Sequence, residues 1–227
     1  MNISNIEQKR NNMVELQLRA RQISDSKVLK AMRAVPRHMF VPLKYKDNAY
    51  DDTPLPIGNG QTISQPYVVG LMTELLQVQP EGKYLEIGTG SGYQAAILAA
   101  MGASVYTIEI LPESGNQASK VINELGYQKV YYRTGDGYYG WSEASPFDGI
   151  IVTAAPDHIP NVLLEQLSDQ GKLVIPVRNF DSSQTLWLVE KRSGKWRLIN
   201  HGLVKFVPFI ISGGDGGESK SSVIHNT

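Results

Sequence analysis

Cysteine is absent from all 227 residues, which removes disulfide frameworks, thiolate metal sites and a cysteine nucleophile together. Long apolar runs are missing too. The longest unbroken stretch is Ala95 to Met101, far short of the roughly 20 residues that cross a bilayer, so a transmembrane helix and a membrane partner are not expected. The opening Met-Asn-Ile-Ser-Asn-Ile-Glu-Gln has neither an apolar core nor a small-residue cleavage site, and the expected address is cytoplasmic. Net charge is lacking as well, since 22 basic residues balance 22 acidic ones. The balance is uneven: residues 1–46 hold ten Lys/Arg against three Asp/Glu, giving +7, and the remainder carries −7. Such a flank can meet nucleic acid or an acidic partner. Here the basic residues are scattered without aromatic interleaving, so a solvated helical face is the favoured reading. What remains is ordinary for a soluble globular chain, with 41% hydrophobic and 19% charged residues and length for one α/β domain with an appendage.

Periodicity supplies the order of elements. Ser4-Asn5-Ile6-Glu7 has capping-box spacing, and Ile6, Met13, Leu16 and Ala20 recur at helical intervals, predicting a helix that ends near Gln22. Ser24 and Asp25 offer the next N-cap, followed by the stripe Val28, Leu29, Met32 and Val35 that Pro36 stops. From Phe40 to Tyr67 prolines and glycines break any period, which reads as a long ordered loop of functional use. Val69 to Val78 reads as a helix. The pattern then becomes strand, turn and helix: strands at 83–87, 104–110, 129–133, 147–153 and 171–177, with helices at 93–101, 112–125 and 160–167 between them. Alternation of this kind predicts an α/β fold with a doubly wound, mostly parallel sheet. Residues 184–191 and 195–204, joined by Arg192-Ser193-Gly194, read instead as an antiparallel edge hairpin. From Ser212 the chain turns to Gly and Ser and is expected to be a disordered tail.

One stretch carries chemistry. Gly88-Thr89-Gly90-Ser91-Gly92 joins a strand to a helix, where backbone can approach a ligand closely and the helix N-terminus favours hydrogen-bond acceptors. Tyr93 stands where a dinucleotide fingerprint wants glycine, which argues against NAD, and no Walker loop or hydrolase elbow is present. Glu109 closes the next strand, where a carboxylate can accept from both ribose hydroxyls. Asp136 and Gly137 follow the third strand, where the acid can accept from an adenine amino group. A ligand with ribose and adenine but no pyrophosphate suits this set. His38, His158, His201 and His225 are far apart, read as surface or loop residues, and imply no metal. Trp141, Trp187 and Trp196, with Tyr131, Tyr132, Tyr138 and Tyr139, read as packing residues.

At this point the chain resembles the class I S-adenosylmethionine-dependent methyltransferases, through Tyr84-Leu-Glu-Ile-Gly-Thr-Gly-Ser-Gly-Tyr93 and Phe147-Asp-Gly-Ile-Ile-Val152. Within that superfamily, the segment from Ala49 to Tyr67, Thr153-Ala-Ala-Pro156 and Phe206-Val-Pro-Phe209 resemble the protein-L-isoaspartate O-methyltransferases over about residues 10–210. The resemblance implies a Rossmann-like methyltransferase domain over 1–211, with N-terminal helices in 1–40, an active-site loop in 41–67, and a core with edge hairpin in 68–211. It implies methyl transfer from S-adenosylmethionine to the free carboxylate of L-isoaspartyl, and less readily D-aspartyl, residues of damaged proteins, which starts repair through a succinimide. S-adenosylhomocysteine is the expected product. Ser64 takes the family's active-site serine position, orienting substrate carboxylate or cofactor. Gln61, Thr62, Gly88, Thr89, Gly90, Gly92, Glu109, Asp136 and Gly137 are expected around the cofactor, and Val207 beside an extended substrate. Two departures stand out. Ile110 replaces a common basic residue, and Gly115 lies early in the second crossover helix, predicting a late or loose start there. Methylation of a small molecule or RNA base is the competing enzyme reading, although no Asn/Asp-Pro-Pro-Tyr run is present; a non-catalytic adenosine-binding module is the third. The sequence leaves oligomeric state open.

Overall fold

The computed structural model describes residues 3–211, so the tail expected over 212–227 lies outside the described residues. Helix α1 (Ile3–Asn12) starts one residue before Ser4 and continues through a π turn at Met13–Leu18 and a 3-10 turn at Arg19–Arg21, stopping at Gln22 with φ 72°. The end falls where periodicity put it, but the apolar stripe does not. Leu16 is 68% exposed and Ala20 is exposed, whereas Met13, Val14 and Leu18 are buried. In a π turn the bonds run i to i+5, so Met13 and Leu18 share a face that a 3.6 period does not give them. Helix α2 (Ser26–Ala34) begins as expected, with Asp25 accepting from the Lys27 amide at 2.7 Å, and buries Val28, Leu29 and Met32.

The segment from Phe40 to Tyr67 is more regular than a loop. It contains a 3-10 turn at Leu43–Asn48 and a hairpin of β1 (Leu55–Gly58) and β2 (Gln61–Ile63). Asn59 and Gly60 turn it with φ of 50° and 70°, the left-handed pair a tight hairpin turn requires. Three contacts pin the segment to the body and one ties it to itself: Arg37 Nε donates to the Ala49 carbonyl at 2.7 Å, Arg21 pairs with Asp52 at 2.8 Å while stacking on Tyr67 at 3.4 Å, and within the segment Gln65 Nε2 donates to the Asp52 carbonyl at 3.0 Å. Arg37 is fully buried, and burial lowers its guanidinium to about 10. Much of the N-terminal basic excess is engaged in this way, with Arg19 and Arg33 both on Glu15.

After α3 (Pro66–Leu76), the core alternates β3 (Lys83–Ile87), α4 (Tyr93–Ala100), β4 (Ser104–Glu109), α5 (Pro112–Glu124), β5 (Val130–Thr134), β6 (Phe147–Val152), α6 (Asn161–Glu165) and β7 (Leu167–Arg178). The hairpin β8 (Gln184–Arg192) and β9 (Lys195–Val204) completes a sheet of order β5-β4-β3-β6-β7-β8-β9, parallel through β7 and antiparallel beyond it. Successive strands add outward from β3 in one direction and then from β6 in the other. The carboxyl ends of β3 and β6 therefore open a crevice at the point of reversal. No residue of β9 is buried, as befits an edge. Tyr131 and Tyr139 are 46% and 61% exposed, against the expectation of packing, because β5 is the opposite edge and Tyr139 lies in a surface turn. Tyr106 instead gathers Tyr131, Trp141 and Phe147 around it at 4.7 to 5.7 Å.

Gly115 does not delay α5. Pro112 occupies the first turn with Glu113 beside it, and the Gly115 amide already bonds the Leu111 carbonyl at 3.2 Å. Gly92 carries a sharper requirement. Its φ is 85°, and a Cβ there would sit 2.9 Å from the Ala118 Cβ, so it is the point where α4 meets α5. Gly92→Ala is expected to lower the unfolding free energy by about 2–3 kcal/mol through left-handed strain and overpacking. Urea denaturation of the single variant and of its combination with Ala118→Gly measures this, and the second change is expected to recover the steric part. A loss below about 0.5 kcal/mol refutes the packing role.

Candidate active site

The crevice holds a cavity of about 660 Å3, within the span of small-molecule sites. Its floor is the glycine turn. Gly88 and Gly90 have φ of 93° and 51°, and a Cβ on Gly88 would strike the Thr153 hydroxyl. That hydroxyl donates to the Gly88 carbonyl at 2.6 Å, fixing the end of β6 to the turn. Gly88, Thr89 and Gly90 line the cavity; Gly92 is directed to α5 and is not among the lining residues.

Glu109, 6% exposed, closes β4 at the rim of this turn. One carboxylate oxygen accepts from the Gly90 amide at 2.7 Å and the other from the Leu111 amide at 2.9 Å. Each oxygen keeps a further lone pair, so the group can hold backbone and hydroxyl ligands together. Ile110 beside it also lines the cavity. The two residues expected after the third strand separate. Gly137 lines the cavity, while the Asp136 side chain accepts from the Tyr138 amide at 2.8 Å, capping a short turn, and is not a lining residue.

The wall opposite comes from β2 and its exit. Gln61, Thr62 and Ser64 line it, and the half-buried Ser64 hydroxyl makes no hydrogen bond among the described residues. A loop serine that served local backbone would be bonded there. A third wall is the chain from His201 to Ile210, Val207 included. Gln61, Thr62, Ser64, Gly88, Thr89, Gly90, Glu109, Gly137 and Val207 are thus brought together, and Gly92 and Asp136 stand behind.

Three cavity residues escape sequence reasoning. Glu86 is fully buried; one oxygen accepts from Thr107 Oγ1 at 2.5 Å, and Thr107 in turn meets Thr89 Oγ1 at 2.6 Å. Its other oxygen has no partner. Burial pushes this carboxyl up to about 8, the Thr107 bond and the nearby Ala95 backbone opposing and Glu109 adding to the rise. A signal existed: a buried parallel strand reads as continuously apolar, and Tyr-Leu-Glu-Ile interrupts that with a carboxylate. Thr153 lies in the Thr153-to-Pro156 segment that carries the resemblance, but nothing there marked its hydroxyl, and His201 had no signal at all. His201 was expected at the surface, yet it lines the cavity with Nε2 buried and unpartnered, and burial lowers its pKa. Among the described residues no group of three or more His, Asp or Glu side chains could hold a metal ion.

A parallel sheet reversing at β3 and β6, with a glycine turn under the crevice and an acidic residue closing the neighbouring strand, is the fold and site of a Rossmann-like methyltransferase. A family model described as "Protein-L-isoaspartate(D-aspartate) O-methyltransferase (PCMT)" matches residues 8–213. The chain is 54% identical over 200 residues to the protein-L-isoaspartate O-methyltransferase of Opitutus terrae, covering 88% of this chain and 86% of that one. It is 50% identical over 196 residues to that of Gloeobacter violaceus, covering 86% and 96%. A crystal structure of a Plasmodium falciparum protein described as a putative protein-L-isoaspartate O-methyltransferase, in complex with S-adenosyl-L-homocysteine, superposes with a TM-score of 0.78 at 27% identity, covering 88% of this chain and 98% of that one. The chain belongs to the protein-L-isoaspartate(D-aspartate) O-methyltransferase family.

The residues fit the cofactor of that family. Glu109 keeps lone pairs for ribose hydroxyls, and the open glycine turn admits close backbone approach. The raised Glu86 value also sets the pH dependence of the ligand-free protein. Because the folded carboxyl holds its proton up to about 8 and the ordinary group releases it near 4.5, stability falls as pH rises through that window. Glu86→Gln removes the titration. Its unfolding free energy is expected to gain on the unaltered protein by up to a few kcal/mol between pH 5 and pH 8, read from urea unfolding at each pH. A gap that does not change with pH rules out a protonated Glu86.

Proposed function

We propose that this cavity transfers a methyl group to the free carboxylate of L-isoaspartyl residues, and less readily of D-aspartyl residues, in damaged proteins. Family membership makes the chain an S-adenosylmethionine-dependent protein carboxyl methyltransferase acting in protein repair. The observation that carries the detailed reading is the meeting, in one cavity, of the glycine turn, the Glu109 carboxylate and an uncommitted Ser64 hydroxyl. When bound, S-adenosylmethionine supplies an electrophilic methyl on a sulfonium and S-adenosylhomocysteine is left behind.

The protein's own work is positional. Glu109 receives the ribose, Gly88 and Gly90 admit the cofactor against the turn, and Gln61 and Thr62 close over it. An isoaspartyl carboxylate is ionised at neutral pH, so its attack needs no general base. Ser64 donates one hydrogen bond to that carboxylate and points an oxygen along the line of displacement. No metal is required for this chemistry. The walls exclude water that would otherwise solvate the opposite charges of sulfonium and carboxylate. The extended substrate runs beside Val207. Once made, the ester can lose methanol where the carboxylate would have to expel oxide, so the neighbouring backbone amide nitrogen attacks its carbonyl carbon, gives up its proton and closes the succinimide as methanol leaves.

The decisive comparison offers an isoaspartyl peptide and its normal aspartyl isomer with labelled S-adenosylmethionine. Methylation of the first alone is expected; equal labelling refutes the substrate, and cofactor binding without any turnover favours a non-catalytic module. Ser64→Ala is expected to lower kcat about tenfold, the worth of one hydrogen bond of about 1.4 kcal/mol, with an unchanged melting profile. For Glu109→Gln, calorimetry of S-adenosylhomocysteine binding is expected to show a loss of about 1.5–3 kcal/mol, because an amide cannot accept at both backbone contacts. Unchanged affinity removes Glu109 from the site.

A further inference from the structure

Beyond β9 the wall that carries Val207, Lys205 to Ile210, belongs to no strand and has no fully buried residue, with Phe206 and Phe209 packed only partly against the core. Two half-buried rings give it limited apolar packing, and much of its position is left to hydrogen bonds. Two come from the end of β6: the Ala155 amide donates to the Val207 carbonyl at 2.9 Å, and the Phe209 amide to the Ala155 carbonyl at 3.1 Å. The other two come from one side chain. Gln184 Nε2 donates to the Phe206 carbonyl at 3.0 Å, and the Phe206 amide donates to Gln184 Oε1 at 2.5 Å. A carboxamide carries donor and acceptor side by side, as a peptide group does, so Gln184 stands in for a missing strand. Its own backbone is fixed by pairing with Arg178 on one side and Val204 on the other.

We propose that Gln184 is a positioning residue for the peptide substrate, its side-chain amide holding Phe206–Phe209 at the distance from the glycine turn that substrate binding needs. The proposal rests on the reading of Val207 as a substrate contact. The path of bonds is continuous: Gly88 to Thr153 by the hydroxyl bond of 2.6 Å, then along the chain to Ala155, across to Val207 and Phe209, and from Phe206 to Gln184. Thr153 keeps the cofactor side in place when Gln184 is lost, so the two halves of the site should respond differently.

Gln184→Leu keeps the bulk and removes both bonds. It is expected to raise KM for an isoaspartyl peptide about tenfold or more, with kcat changed less and S-adenosylhomocysteine affinity within about twofold of the unaltered protein. Gln184→Glu adds a readout that a purely structural role does not move. Its carboxylate cannot donate to the Phe206 carbonyl, whereas the protonated acid restores donor and acceptor. The ratio of its kcat/KM to that of the unaltered protein, taken at each pH, is expected to climb toward one as pH falls from 8 to 5. That ratio also decides the matter if Gln184→Leu fails to fold. A ratio flat in pH, or a KM for Gln184→Leu within about twofold, overturns the proposal. Amide exchange at Phe206 and Phe209 separates the causes. Exchange that rises with no change in KM overturns the peptide-wall reading, and exchange that does not rise overturns the clamp itself.

Discussion

Glu109 ends β4 with one oxygen on the Gly90 amide and the other on the Leu111 amide, and the rest of the site is arranged about that double contact. A carboxylate that accepts two backbone bonds fixes three segments at once: the glycine turn, the end of its own strand and the entry to α5. Charge-assisted bonds of this kind are the strong ones, and a group only 6% exposed loses little of that strength to water. The turn therefore holds its left-handed glycines in place before any ligand arrives. Preorganisation of this sort matters for methyl transfer, where alignment supplies most of what a protein can add.

Around this fixed centre the structure places groups that are costly to leave as they are. Glu86 sits in the floor with one oxygen unpartnered, and His201 sits in a wall with a buried ring nitrogen in the same condition. Buried polar atoms are normally bonded, so such exceptions call for an explanation. Both residues belong to the lining of one cavity, where polar and charged ligands go. A cationic group near Glu86 would favour its ionised form, reversing the effect of burial.

The third element of the design is attachment of mobile-looking parts to rigid ones by a few specific bonds. The segment after Phe40 contains prolines and a small hairpin, yet Arg21, Arg37 and Gln65 tie it to the helices and to itself. The chain from Phe206 to Phe209 is held by Ala155 and Gln184. Both walls contain segments that carry the family resemblance, and the N-terminal helices, an appendage by sequence, anchor one of them. Arg21 does this twice, through Asp52 and through the face of Tyr67.

Local sequence was enough for the strand and helix order, the edge hairpin, the glycine turn and Glu109, because each follows from periodicity or from spacing within one β-α-β unit. It erred where one local signal was read over another. The π turn at Met13–Leu18 altered which face was buried, Asn59-Gly60 made a hairpin inside what read as a break, and the Leu111 and Pro112 start kept α5 regular despite Gly115. Asp136 and Gly137 are adjacent in sequence, but the chain direction at the end of β5 sends one side chain to a cap and puts the other residue in the cavity. The sequence by itself determined the class of fold and the glycine turn with Glu109 at its rim, since those follow from spacing within one β-α-β unit. Only the tertiary structure decided the company of Glu86, Thr153, His201 and Gln184, whose partners lie about 20 to 65 residues away or across a cavity. Their roles depend on which strand carboxyl ends the crossovers bring together.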